Sequence, residues 1–154
     1  MSADLHRLIY VSRWANGLGE DIGAALARIV AASIGRNRLA NVTGLLLAHE
    51  GWFVQALEGQ EADVGALVIR IAADPRHRDL KLLFSGPEEA RMFEGCPMAS
   101  ARLGAEAEPL LTELGQLARF DGYALDADSA TRLLAIAGEL EVPPKLQSLR
   151  RSAA

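Results

Sequence analysis

Residues Gly51–Gly59 read GWFVQALEG. Tryptophan, phenylalanine, valine, alanine and leucine make most of this stretch a buried strand. Yet a glutamine stands at Gln55, between Val54 and Ala56. A neutral amide in apolar surroundings must find hydrogen-bond partners or cost about 1–3 kcal/mol. No neighbour within the stretch obviously satisfies it, so the partner comes from elsewhere in the chain or from a ligand.

Working outward, Val42–Ala48 (VTGLLLA) is a second short apolar run, split from the first by His49-Glu50-Gly51. That is a hairpin signal with glycine at the tight position. Upstream, Leu5–Ser12 (LHRLIYVS) alternates as a strand, with Leu8, Tyr10 and Ser12 on one face and Ile9 and Val11 on the other. A loop is expected over Asn16–Glu20. A helix is expected over Asp21–Ser33, where Ile22, Leu26, Ile29 and Val30 have helical spacing and Gly35 and Asn37 fit its end. Downstream, Asp63–Ala73 carries Val64, Leu67, Val68 and Ile71, an amphipathic helix stopped by Asp74-Pro75. Leu80–Phe84 is a fourth strand. The order β-α-β-β-α-β, with a further strand allowed at its end, is the ferredoxin-like arrangement. The fold class is therefore α+β, a sheet with two helices on one face.

From Pro109 the pattern changes. Pro109–Phe120 and Ala127–Leu140 read as two more helices, with Asp126 or Asp128 as the cap of the second and Pro143-Pro144 as its stop. They would cover the other face of the sheet, which explains why the strands are apolar on both sides. Ser148–Ala154 is expected to be a disordered end.

With 154 residues, half of them hydrophobic, the chain suggests one domain with a small appendage. Net charge is −4 and no basic block of five or more occurs, which argues against nucleic acid. The lone cysteine, Cys96, rules out an intramolecular disulfide and a paired-cysteine zinc site. The start, MSADLHRL, lacks an apolar signal region. Apolar stretches break off well before the roughly 18 residues needed to span a bilayer. A cytoplasmic chain with no membrane contact is expected.

Four polar side chains stand where a plain core would prefer apolar ones: Tyr10, Asn37, Gln55 and Arg70. Singly, Tyr10 fits a buried ring with its hydroxyl at an edge. Asn37 fits a helix C-cap, and Arg70 a solvated side chain. Gln55 is hardest to dismiss, because mid-strand amides demand partners. If the first and third strands are neighbours, Tyr10 and Gln55 can touch across one face. Together the four suit a planar heteroaromatic ligand with alternating donors and acceptors. No carboxylate pair, metal cluster, glycine-rich phosphate loop or activated serine accompanies them, so hydrolase and metalloenzyme readings lack parts.

These residues carry a family likeness. The chain resembles the BLUF domain, the sensor of blue light using FAD. In order it shows LIYVS with Tyr10 and Ser12; NRLANVTGLLL with Asn37, Thr43 and Gly44; FVQALEG with Phe53, Gln55, Glu58 and Gly59; RIAADPRH with Arg70, Asp74 and His77; and RMFEGCPM with Arg91, Phe93 and Met98. Each motif is weak alone, but five in order with compatible gaps are specific. The likeness runs from Leu5 to about Met98.

The resemblance implies FAD, with FMN as a possible substitute, held between the two helices with its ring toward the sheet. It implies Tyr10 as electron and proton donor to the excited flavin, and Gln55 bonded to both Tyr10 and the ring. Asn37 and Arg70 would meet the carbonyls of the ring's pyrimidine side, with Asp74 nearby. His77 would lie toward the ribityl chain and phosphates. Ile29 and Ile71 would sandwich the ring, and Phe53 and Met98 would complete the site. Residues 1–104 would be the photosensor, 105–147 a helical cap or relay and 148–154 a tail. Because no cyclase, phosphodiesterase or DNA-binding sequence follows, the expectation is a non-enzymatic, stand-alone photoreceptor. It would signal to a separate effector protein or through a change of homo-oligomer. The relay surface would be Leu110–Leu117 and Leu133–Leu140.

Two departures stand out. The gap from Tyr10 to Asn37 is a few residues longer than in most relatives, and the extra residues are placed in Trp14–Glu20. Cys96 stands where the family usually has tryptophan, two positions before Met98, so Met98 and the last strand are expected to carry the signal alone. The rival readings are a flavin-binding module without a photocycle and a ferredoxin-like enzyme such as an acyl-phosphate hydrolase. The second needs an anion nest after the first strand, where this chain has SRWANGLGED.

Overall fold

The turn at Glu50-Gly51 sets the architecture. Both residues hold positive φ, 47° and 85°, as a two-residue turn of primed type requires. It pairs His49 directly with Trp52 and so fixes the register of β2 (Thr43–His49) against β3 (Trp52–Gln60). A computed structural model describes residues 5–15 and 21–139. The loop expected at Asn16–Glu20, the chain from 140 onward and the tail over 148–154 lie outside the described residues.

Strand β1 (Leu5–Trp14) lies antiparallel to β3 on its other side, and β4 (His77–Pro87) lies antiparallel to β1. A short β5 (Ser100–Arg102) joins parallel to β2, giving the order β4-β1-β3-β2-β5. This is the expected ferredoxin-like sheet with one strand added. The edge strand β4 is longer than its apolar core suggested. It bends where Asp79 adopts φ 52° and the register with β1 shifts between Val11 and Arg13, as a bulge does.

Helix α1 spans Ile22–Leu39, capped by Asp21 accepting from the Ala24 amide at 2.8 Å. It outruns the expected end at Ser33. Gly35 weakens a helix by only about 1 kcal/mol, and Arg36 and Arg38 in the last turn favour its negative end. Asn37 is therefore inside the last turn rather than the C-cap, which is Ala40. Helix α2 (Glu61–Ala72) matches its expected position.

Both helices pack on one face of the sheet over Leu8, Tyr10, Leu46, Phe53 and Leu57. The opposite face, with Ile9, Val11, Leu47, Trp52 and Val54, is covered by the C-terminal part of the chain through Leu110, Phe120, Leu133 and Leu134. The chain crosses so close that a Cβ on Gly122 would stand 2.5 Å from Val11 and 2.6 Å from Trp52. This cap differs in detail from expectation. Helix α3 is only Glu108–Glu113, and the segment to Phe120 is not helical. Gly115, at φ 70°, ends it, its amide reaching Thr112 O and that of Gln116 reaching Leu111 O, which is a Schellman stop. The Gln116 side chain then brackets the Asp121 backbone, accepting from its amide at 2.7 Å and donating to its carbonyl at 3.0 Å. Helix α4 (Ala127–Ala137) is capped by Asp126 in a reciprocal box with Ser129.

Candidate functional site

Antiparallel register sets Tyr10 directly opposite Gln55. Both side chains point to the helix-covered face and both are buried. The Tyr10 hydroxyl donates to the Gln55 carbonyl oxygen. The Gln55 amide then donates to the Met98 sulfur at 3.3 Å. Met98 and Cys96 lie in the irregular segment just before β5. Gly44 makes room there: a Cβ would meet Ala56 O at 2.2 Å and the Met98 methyl at 3.3 Å.

Around this row stand the other residues singled out from the sequence. Asn37, buried, donates from its amide to Pro97 O at 2.6 Å. His77 shares a hydrogen bond of 2.9 Å with Ser12. Its ring stands 4.7 Å from Phe53 and 6.0 Å, edge-on, from Tyr10. Burial pushes His77 down to about 4, so it is neutral near pH 7. Burial, and then the charge of Asp74, raises the Tyr10 phenol well above its usual value, so it keeps its proton. Asp74 is held below the usual carboxylate range chiefly by its hydrogen bond from Arg76, which also forms an ion pair at 2.7 Å.

Between α1 and α2 a cleft of about 550 Å³, its open mouth included, reaches down to Gln55 and Met98. Ile29, Asn37, Arg70, Ile71, Asp74 and His77 all line it. Tyr10 and Phe53 lie behind this lining, against Gln55 and His77. Sequence reading missed Ser33, Arg36, Leu67 and Arg76, which also line the cleft. Helical spacing could have found two of them, since Ser33 and Arg36 follow Ile29 by four and seven positions on one face of α1.

The lining fits FAD. Ile29, Leu67 and Ile71 supply apolar walls for a flat ring. Gln55 and Asn37 supply amides, Arg70 supplies a cationic donor suited to a ring carbonyl, and Arg36 and Arg76 supply cations suited to phosphates. The donor set has no metal-ligand cluster: among the described residues no group of three or more histidine, cysteine, aspartate or glutamate side chains is placed to hold a metal. No described helix is long and apolar enough to cross a membrane.

Comparison with known proteins gives the same answer. The family described as sensors of blue light using FAD matches residues 5–99. The photoactivated adenylate cyclase subunit alpha of Euglena gracilis is 36% identical over 116 residues, which is 73% of this chain and 11% of that protein. The beta subunit from the same organism is 34% identical over 122 residues, 77% of this chain and 14% of that protein. This chain thus corresponds to a small fraction of those relatives. Among solved structures, the dark state of the BLUF protein BlrB is 32% identical with a TM-score of 0.64, covering 76% of this chain and 86% of that one. The ground state of BlsA, at 24% identity, shares the fold with a TM-score of 0.80 over 90% of this chain and 91% of that one. The chain belongs to the BLUF family of blue-light sensors, whose cofactor is FAD.

Proposed function

We propose that Tyr10, Gln55 and Met98 are the light switch of this sensor. One observation carries the reading: a buried phenol, amide and thioether form a single hydrogen-bonded row whose amide opens on the cleft. When bound, FAD supplies the blue-light absorption and a ring able to accept an electron and a proton. Tyr10 gives up an electron and its hydroxyl proton and takes both back, so the cycle has no net redox change. Gln55 is suited to register the event, because its two ends are nearly isosteric but opposite in hydrogen-bonding sense. Rotation or tautomerisation rewires the row without changing its packed volume. The two states differ by a few hydrogen bonds, each worth about 1 kcal/mol net, so thermal return in darkness follows.

Asn37 and Arg70 would hold the carbonyl side of the ring, Ile29 and Ile71 would hold its faces, and Arg36, Arg76 and His77 would serve its tail. Residues 1–104 act as the sensor and 105–147 as cap and relay, with Met98 passing the signal because Cys96 replaces the usual tryptophan. The output goes to a separate effector or to a change of homo-oligomer, the Euglena relatives being cyclases that respond to light by name. The sensor performs no catalysis of its own.

The test is a visible spectrum of FAD-loaded protein before and after blue light. A small red shift that recovers in darkness, and is lost in Tyr10→Phe while the yellow colour stays, is the expected result. A flavin spectrum that never shifts would leave a binding module, and protein that takes up no flavin would overturn the reading altogether.

A further inference from the structure

On the opposite face of the sheet, three residues beyond Gln55, Glu58 is fully buried. Arg7, Glu58 and Thr43 stand in one row across β1, β3 and β2, each paired in register with its neighbour. The carboxylate is saturated. One oxygen accepts from Arg7 at 3.0 and 2.8 Å and from the Met92 amide at 2.6 Å. The other accepts from Thr43 at 3.1 Å and from the Phe93 amide at 2.9 Å. Arg91 closes the group, reaching Thr43 Oγ1 at 2.8 Å, Glu58 O at 3.1 Å and Asn41 O at 2.9 Å.

What the cluster holds is the start of the segment that ends at Met98. Phe93 packs in the core beneath the C-terminal cap, while Met98 packs in the core beneath the helices. Between them the chain passes round the β2 edge, tied by Gly44 N to Cys96 O at 3.0 Å and by Asn37 to Pro97 O. Buried ion pairs are poor sources of net stability, because desolvation offsets most of their attraction. Their hydrogen bonds are short and directional. A carboxylate here holds two successive amides, those of Met92 and Phe93, at set positions, which an apolar side chain could not do.

We propose that Glu58 is a positioning residue of the switch: by pinning Met92 and Phe93 it sets where the Met98 sulfur stands against Gln55, and so the lifetime of the lit state. This rests on the photoreceptor reading above. Loosening the pin frees Met98 from Gln55 and speeds the return to darkness.

The experiment compares wild type, Thr43→Val and Glu58→Gln, each loaded with FAD. It follows the recovery of the light-shifted flavin band and the exchange of the Cys96 amide, which donates to Phe93 O at 3.0 Å. Recovery faster by about threefold in Thr43→Val and about tenfold in Glu58→Gln, with faster Cys96 exchange and unchanged exchange in α4, is the expected result. A lower melting temperature with recovery within about twofold of wild type would overturn it, because a cluster that only stabilises the fold has no effect on the photocycle. If Glu58→Gln does not fold, Thr43→Val decides. If wild type shows no light-driven shift, the photoreceptor reading has failed instead. Unchanged Cys96 exchange in Thr43→Val then overturns the positioning claim independently.

Discussion

Gln55 and Glu58 lie on the same strand, yet they face opposite sides of the sheet and are built on opposite plans. Gln55 is neutral, and its side chain makes two hydrogen bonds, to Tyr10 and Met98. Each could be exchanged for another at little cost, because an amide turned over presents the same shape. Glu58 is ionic, accepts five hydrogen bonds through its two oxygens, and has no equivalent second arrangement. One site is suited to change and the other to hold. The segment running from Phe93 to Met98 joins them round the edge of β2.

The strongest way to break this contrast is to make the same substitution at both places. Glu58→Leu should cost about 3–5 kcal/mol, because it leaves the Arg7 guanidinium, 5% exposed, with only Glu88 at 3.2 Å as a carboxylate partner and takes the acceptor from the Met92 and Phe93 amides. Urea unfolding followed by circular dichroism measures it. A loss below about 1 kcal/mol would mean that the cluster is as replaceable as an exposed pair.

Acid should act next, through the switch face. His77 is held at about 4 by burial, whereas an unfolded histidine titrates near 6.5. Between those values the unfolded chain binds a proton that the folded chain does not, so stability is full above about pH 6.5 and declines toward pH 4. The loss reaches at most about 3 kcal/mol. Asp74, held low by Arg76, adds a loss of the same sign at still lower pH. Melting temperatures from pH 7.5 to 4.5 should fall in wild type and flatten over the upper part of that range in His77→Gln.

Gln55→Leu sharpens the contrast from the other side. It should remove the light-induced shift completely. It should cost only about 1–3 kcal/mol, the penalty of leaving the Tyr10 hydroxyl unpaired. Loss of signal with stability largely retained at Gln55, against a larger loss of stability at Glu58, is the pattern expected. A Gln55→Leu protein that still shifts red would remove the amide from the mechanism.

The two sites were not equally legible before the structure. Gln55 announced itself because an amide between Val54 and Ala56 breaks a run of apolar residues. Its contact with Tyr10 was legible only on the condition that the first and third strands are neighbours, which the hairpin between the second and third does not decide. Glu58 gave no such signal of its own: with Thr43, Arg91 and Phe93 it stood only as a motif residue of the family likeness, without a role. A glutamate near a strand end reads as a solvent-facing charge, and its partners Arg7 and Met92 lie 51 and 34 positions away in the chain. Only the register of three strands brings them together. The helical errors have local causes. Gly35 was taken as a stop although the chain beyond it remains a good helix former. Gly115 was passed over although glycine in the left-handed region is the usual end of a helix.

The smallest effect tests the joint between the two sites. Met98 contributes both volume, being 5% exposed, and a sulfur acceptor for the Gln55 amide. Leucine conserves most of the volume and discards the acceptor, so Met98→Leu should cost less than about 1.5 kcal/mol. If the sulfur merely fills space, the flavin band and its recovery stay as in wild type. If it holds the Gln55 amide in place, the dark recovery changes while the melting temperature barely moves. The second outcome is the one expected, because the Gln55 amide loses its sulfur partner and Met98→Leu leaves the Glu58 cluster with all its bonds.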